Sequence, residues 1–381
     1  MSLSILKLYT DKGMNIVLVT WIGGGNFGTS LQSYALHKKL FDLGHNVGII
    51  TVFPNQNKFI SIIKQFFSLL GLLKLRSLVE YAFASRGKRK LIQFQKKNYN
   101  RFELLTNNSL KRLVNQTDCF ISGSDQIWNT HFNFSPNYFL SFAENHKRIA
   151  YASSIGTSGI KEEYLNQVKN YLLDFSHIGV REFDTVKVLS SLTGRNDIRQ
   201  VLDPTLLLTQ NEWKKLSKDA VYEETLPKKY ILCYLIGKNE IYAKQLKEVK
   251  ERYRMDTIII PATENPNITY ENDIVYRNAS PAEFVDLLLN ANLVCTDSFH
   301  ATALCINFSV PFVEFMRFSN NSLASQNTRI YDILNHYSLM DRIYECDSSE
   351  WSKPIDFTSI QEQLRRDRKD SLNYLINAIN N

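Results

Sequence analysis

Thr296-Asp297-Ser298-Phe299-His300 follows directly on the apolar run Asn292-Leu293-Val294-Cys295, so polar chemistry begins where a buried strand should end. Ligands of open α/β sheets collect at the carboxyl ends of strands. An imidazole placed there, at His300, can give or take a proton near neutral pH. The plainer alternative is that Asp297 or Ser298 caps the following helix (Ala301 to Ile306) while His300 fills its first turn. Two more handovers have the same form. Phe120-Ile121-Ser122 runs into Gly123-Ser124-Asp125-Gln126 and then Trp128, and His177-Ile178-Gly179-Val180 runs into Arg181. Asp125 can accept a proton from an attacking hydroxyl or cap a helix. Arg181 is a permanently charged fork suited to phosphate or carboxylate, unless Glu182 beside it neutralises it. An acid, a base and an anion clamp are the chemistry these three strand ends would share.

The elements that must position them alternate. Met14 to Trp21 is an apolar run ending at Gly23-Gly24-Gly25-Asn26-Phe27-Gly28. Leu31, Tyr34 and Ala35, then Leu36, Leu40 and Leu43, recur at helical spacing before Gly44, and Val47 to Phe53 restarts a strand. Further strands are expected at Asp118 to Ser122, Arg148 to Ser153, His177 to Val180 and Gln200 to Leu202. Such alternation implies a mostly parallel sheet covered by helices. After Pro227-Lys228-Lys229 the pattern begins again: Tyr230 to Ile236, a helix through about Arg252, Thr257 to Pro261, Asp273 to Tyr276, a helix over Ser280 to Asn290, and the strand before His300. The chain, 381 residues long, is therefore expected to form an amino-terminal unit, 1–210, and a carboxy-terminal unit, 211–381. The boundary falls within 205–229. Ile360 to Ile379 reads as an amphipathic helix that could cap either unit.

A composition of 44% apolar and 22% charged residues describes a globular protein. The five cysteines (Cys119, Cys233, Cys295, Cys305, Cys346) stand singly, without a C-x-x-C pair, which fits a reducing, cytoplasmic setting. No uninterrupted apolar stretch is long enough to cross a bilayer. The amino end lacks a signal pattern and leaves Met14 or an earlier codon as candidates for the native start. The net charge of +7 is unevenly distributed: eleven Lys and Arg lie between Lys58 and Arg101 against Glu80 alone, so the remainder is slightly acidic. This basic helical insert, 58–101, also carries Ile60, Ile62, Ile63, Phe66 and Phe67. It suits helices on an anionic membrane surface, which would make the protein peripheral at the inner face of the membrane. A helical pair packed on its own domain fits equally well.

Several classes are excluded. Gly23-x-Gly25-x-x-Gly28 has the glycine spacing of a dinucleotide site, but Gly48-Ile49-Ile50-Thr51-Val52-Phe53 supplies no acid for a ribose, so no nicotinamide cofactor is expected. The glycines still allow backbone N–H groups to approach an anion. There is no H-E-x-x-H, Cys/His cluster or D-x-D for a metal, and no G-x-S-x-G hydrolase elbow. The aromatics of the basic segment look core-facing, which argues against nucleic acid.

Taken as a set, the motifs resemble the polysaccharide pyruvyl transferase family. They are Asn26-x-Gly28-x-x-Leu31-Gln32-x-Tyr34-Ala35-Leu36, Gly123-Ser124-Asp125-Gln126-Ile127-Trp128-Asn129, Tyr151-Ala152-Ser153-Ser154-Ile155-Gly156, Val180-Arg181-Glu182, Leu202-Asp203-Pro204-Thr205, Thr296-Asp297-Ser298-Phe299-His300-Ala301-Thr302 with Pro311-Phe312, and Arg329-Ile330-x-Asp332-Ile333-Leu334. The resemblance runs in order from about Met14 to Arg342. It implies two Rossmann-like domains with parallel sheets facing each other across a cleft, the glycosyltransferase B arrangement, with acceptor in the first domain and donor in the second. It also implies transfer of pyruvate from phosphoenolpyruvate, a co-substrate and not a cofactor, onto two hydroxyls of a sugar as a cyclic ketal. The acceptor would be a sugar or lipid-linked oligosaccharide on the way to an exopolysaccharide or capsule. His300 is then the expected acid or phosphate contact, Asp125 the base or sugar-hydroxyl contact, and Arg181 the clamp on the donor. Asn26, Gly28, Gln32, Ser124, Gln126, Asp297, Ser298 and Arg329 are the expected substrate-binding residues. One position departs from the family: better-understood members carry Arg-Leu-His where this chain has Ser298-Phe299-His300, leaving Arg317, Arg329 or a cleft lysine to supply the missing cation. The alternative is a sugar-nucleotide-dependent glycosyltransferase of the same fold. An E-x7-E pair would mark a retaining enzyme of that kind, and none follows Glu251. A third reading is a catalytically silent carbohydrate-binding protein.

Overall fold

The computed structural model describes residues 13–23, 26–54, 81–82, 84–132, 134–262, 273–318, 326–346 and 348–381. Seven parallel strands form the first sheet: β1 (Asn15–Val19), β2 (Asn46–Val52), β3 (Asn100–Glu103), β4 (Cys119–Ser122), β5 (Arg148–Ser153), β6 (His177–Val180) and β7 (Arg199–Gln200), in the order β3-β2-β1-β4-β5-β6-β7. A second parallel sheet follows: β8 (Tyr230–Tyr234), β9 (Asp256–Ile259), β10 (Ile274–Val275), β11 (Leu293–Thr296) and β12 (Phe312–Glu314), ordered β10-β9-β8-β11-β12. The chain thus has the two Rossmann-like units expected from the alternating pattern. Central strands such as β4, β5 and β11 are buried along their whole length, which is why they read as continuous apolar runs and not as alternating ones. Strand order reverses between β1 and β4 in one sheet and between β8 and β11 in the other, and crevices for ligands open at such switch points.

Two strands were not anticipated. β3 is Asn-Arg-Phe-Glu on the sheet edge and β12 is three residues long, so neither carries the apolar run that marks a buried strand. The last helix, Phe357–Asn380, does not belong to one unit. Tyr374 donates to the β5 carbonyl of Ala150 at 3.1 Å, while Gln361 donates to Ile306 of the second unit at 2.6 Å. Gly179 on β6 makes room for this crossing, because a Cβ there would sit 2.7 Å from the Tyr374 ring. The units also share apolar contacts at the start of helix Phe27–Asp42, where Phe27 stacks on Phe284 with ring centroids 4.6 Å apart.

Of the basic insert, residues 58–80 and 83 lie outside the described part. The helix Arg86–Asn98 spends much of its charge on the structure. Lys90 pairs with buried Glu283, Arg86 with Glu223, and Lys97 with Asp219. Among the described residues no helix is long and apolar enough to cross a membrane. All five cysteines are free thiols, four of them buried and Cys346 exposed.

Candidate active site

The loops after β4, β6 and β11 converge, with the first turn of helix Phe27–Asp42 closing over them. His300 lies in the first turn of the helix Phe299–Phe308. Its Nε2 lies 3.5 Å from Oδ2 of Asp203 and, among the described residues, has no hydrogen-bond partner although buried. Asp203 follows β7 and caps the short turn Pro204–Leu207, taking N–H and O–H from Thr205 on Oδ1 at 2.9 and 2.7 Å. Its Oδ2 receives Ser124 Oγ at 3.0 Å and Arg181 Nη1 at 3.2 Å. Burial pushes the Asp203 carboxyl upward, but His300, Arg181 and the Thr205 N–H outweigh it and hold the group well below the usual carboxylate range. A permanent negative charge therefore sits beside the imidazole.

Arg181 is almost wholly buried. Burial alone would favour the neutral guanidine, yet Glu182, Asp203 and Asp125 keep it firmly charged. Nε bonds Glu182 at 2.7 Å, and Nη2 is buried without a partner among the described residues. The guanidinium stacks on Phe299, 4.2 Å from the ring centroid, and Arg329 lies over the same ring at 6.0 Å. Arg329 makes no ion pair among the described residues. Its Nη2 donates to Gln326 at 2.6 Å, and with the Gln126 amide turned to match its neighbours, Gln126 also accepts from it. Its Nε is buried and unpartnered among the described residues. Burial, aided by Arg181 and Arg317, pushes this guanidinium down to about 9. A buried cation without a counter-ion is unstable by several kcal/mol, and an anionic ligand would relieve it.

Asp125 sits at φ 75°, a left-handed backbone uncommon for a residue with a Cβ. A one-residue bridge to Ser153 and the bond from Ser154 N–H to its carbonyl hold it there. Its carboxylate takes one bond on each oxygen, from Gln126 N and Thr29 Oγ1, both at 2.9 Å, leaving acceptor capacity on both. Thr29 lies in the first turn of helix Phe27–Asp42, which Asn26 caps by accepting from Gly28 N at 2.9 Å. Gly28 presses against His300 so closely that a Cβ would lie 2.3 Å from Nδ1.

The remaining expected residues hold the frame. Gln32 is completely buried, its amide donating to Thr20, Trp21 and Thr29 and its oxygen accepting Ser124 N. Ser124 is likewise committed to Asp203 and Gln32. Asp297 receives four donors: Ile236 N, Gly237 N and Tyr242 Oη at 2.7, 2.7 and 2.8 Å, and Arg317 Nε at 3.1 Å. Ser298 is buried at the helix start with its N–H on Thr296 Oγ1. Of the two arginines expected to replace the missing one, Arg317 is thus taken by Asp297 and Arg329 is left with spare donors. The reading of the residues had not placed Asp203 or Glu182 in the site. Asp203 was legible only as the Asp before Pro204, an N-cap pattern; that its second oxygen faces His300 is a tertiary fact.

The family model described as polysaccharide pyruvyl transferase matches residues 26–317, more than half of the chain. No curated protein matches the sequence. Among solved structures, the chain is similar to UDP-N-acetylglucosamine 2-epimerase from Rickettsia bellii, with 9% identity, TM-score 0.48, and 97% of each chain covered. It is also similar to UDP-GlcNAc 2-epimerase from Neisseria meningitidis, with 10% identity, TM-score 0.47, and 94% of this chain and 100% of that one covered. A glycosyltransferase from Rickettsia africae shows 12% identity and TM-score 0.46, with 96% of each chain covered.

Proposed function

The chain belongs to the polysaccharide pyruvyl transferase family, and on that premise we propose that it moves pyruvate from phosphoenolpyruvate onto two hydroxyls of a sugar in a cell-surface polysaccharide or its precursor, as a cyclic ketal. The observation that carries this reading is the pair of buried guanidiniums on Phe299, Arg181 and Arg329, each with an N–H unpartnered among the described residues, beside His300. A small dianion with both carboxylate and phosphate suits such a pair.

In this reading His300 gives its proton to the methylene carbon of the enol phosphate, and the cationic carbon that results is attacked by the first sugar hydroxyl. Asp125 accepts that hydroxyl's proton. Phosphate then leaves with the C–O bonding pair, the second hydroxyl adds to the same carbon, and its proton goes to the phosphate or back to the imidazole. One proton is delivered to carbon and two leave oxygen. Asp203 holds the imidazole and offsets the positive charge that surrounds it, while Arg181 and Arg329 neutralise the donor.

A sugar-nucleotide donor is less well served. The N–H groups of Ile236 and Gly237, after β8, are where a Rossmann-like unit would receive a diphosphate, and Asp297 already occupies them. Calorimetric titration with phosphoenolpyruvate and with a panel of nucleotide sugars, on the wild type and on His300→Ala and Arg329→Gln, tests the proposal. Phosphoenolpyruvate should bind the wild type and lose affinity in Arg329→Gln. Binding of a nucleotide sugar alone would replace the proposal with the glycosyltransferase reading, and full-rate transfer by His300→Ala would remove His300 from it.

A further inference from the structure

Resting on that reading, we infer that Trp21 and Phe132 form a stacking platform for a pyranose ring of the acceptor. Phe132 is 75% exposed, the most exposed large apolar side chain among the described residues. It is not an isolated surface residue. Its ring packs edge-on against Trp21, with centroids 6.2 Å apart, and Tyr138 also packs edge-on against Trp21, again at 6.2 Å. Trp21 is half-buried, whereas Trp128, Trp213 and Trp351 are buried. The platform is therefore rigid at its base and open at its rim.

Its position ties it to the catalytic loop. Trp21 follows β1 and Phe132 lies in the segment after β4, so the two rings stand at the carboxyl ends of the strands that flank the switch point of the first sheet. Thr20 Oγ1 bonds the Ser124 carbonyl at 3.0 Å, and Gln32 joins the Trp21 carbonyl to that of Thr29, whose hydroxyl bonds Asp125. Trp21 is thus fixed to the same frame as the base that would deprotonate the sugar. Among the described residues no cation lies over either ring, so the face suits an uncharged ring. The C–H face of a pyranose is apolar and stacks on aromatic rings, while its hydroxyls remain free for Asp125.

The intact chain tests this through Trp21, the one tryptophan that is not buried. Methyl glycosides of glucose, galactose, mannose and N-acetylglucosamine, titrated into the millimolar range, should protect Trp21 from acrylamide quenching in a saturable way for at least one sugar. Phe132→Ala, at an exposed position, should abolish that protection and raise the acceptor KM in pyruvyl transfer about tenfold while leaving the phosphoenolpyruvate KM unchanged. Phe41→Ala, a 61% exposed phenylalanine on the first helix, should change neither. No protection by any of the four glycosides overturns the platform, as does a Phe132→Ala variant whose only change is in self-association or flotation with vesicles. Sugar protection without phosphoenolpyruvate binding would leave the platform standing and overturn the donor, so the two failures are separable.

Discussion

Gly28 and His300 meet across the boundary between the two units with no space for a methyl group: a Cβ on Gly28 would lie 2.3 Å from Nδ1 and 2.6 Å from Cγ of the imidazole. The glycine is needed here for close approach and not for an unusual backbone, since it is helical. The contact locks the first turn of helix Phe27–Asp42, which carries Thr29 and through it Asp125, to the helix that carries His300. The spacing of Asp125 and His300 therefore runs through one van der Waals contact between the two units.

Gly28→Ala should leave each sheet folded and force the units apart or the imidazole off its rotamer. Overpacking of this kind costs about 1–3 kcal/mol, so a drop of several degrees in Tm is expected, with transfer activity reduced far more than stability. A variant with wild-type kcat would show that the contact does not set the geometry of the site.

Asp203→Asn removes the ionised partner of His300 and leaves Arg181 short of one carboxylate. Loss of one member of a buried pair costs about 3–5 kcal/mol. The pH dependence has a definite sign. Asp203 is held below its unfolded value, so its contribution is complete above about pH 4 and is lost as pH falls further, through the folded value. Thermal melts from neutral pH into that acidic range should show the wild type losing its advantage over Asp203→Asn as the pH falls. Parallel curves would mean that the carboxylate is not the stabilising species.

Arg329→Gln should separate stability from function. The folded protein disfavours this charge, since Arg329 is pushed down to about 9. A depressed cation costs stability below its folded value, and the cost fades as pH rises through about 9. At neutral pH the variant should melt no lower than the wild type, yet phosphoenolpyruvate should no longer raise its Tm. In the wild type, the ligand should raise Tm by mass action. A destabilised Arg329→Gln that still binds the donor would give Arg329 a structural role.

The basic helix yields a paired prediction. Lys90→Gln breaks the pair with Glu283, whose side chain is only 2% exposed, and should lower Tm. Lys88 and Lys96 are exposed, and their replacement by Gln should leave Tm within about 0.5 kcal/mol of the wild type. If the segment also meets an anionic membrane, vesicle flotation should fall in the Lys88/Lys96 variant. Unchanged flotation assigns the helix to packing.

Much of this arrangement was legible because it is local. An apolar run followed at once by Asp, Arg or His announces a buried strand handing over to a polar loop, and the runs before Asp125, Arg181 and His300 are β4, β6 and β11. The same reasoning overlooked β3 and β12, whose residues carry no sustained apolar run, and stretched β1 and β8 to Trp21 and Ile236, since hydrophobicity continues past the last ladder bond. Gln32, Ser124 and Asp297 read as ligand contacts, because a polar residue in the first helix or at a strand end looks the same in sequence whether it faces substrate or a neighbouring amide.

Strand and helix periodicity, the restart after Pro227-Lys228-Lys229 and the polar strand ends are properties of neighbouring residues, so the amino-acid sequence alone determined the two parallel α/β units and the three chemical side chains. Which partner each side chain meets is set by packing between segments more than two hundred residues apart in the chain. Only the tertiary structure decided that Asp203 stands by His300, that Asp297 consumes Arg317, that Arg329 is left without a carboxylate among the described residues, and that the last helix ties both sheets together.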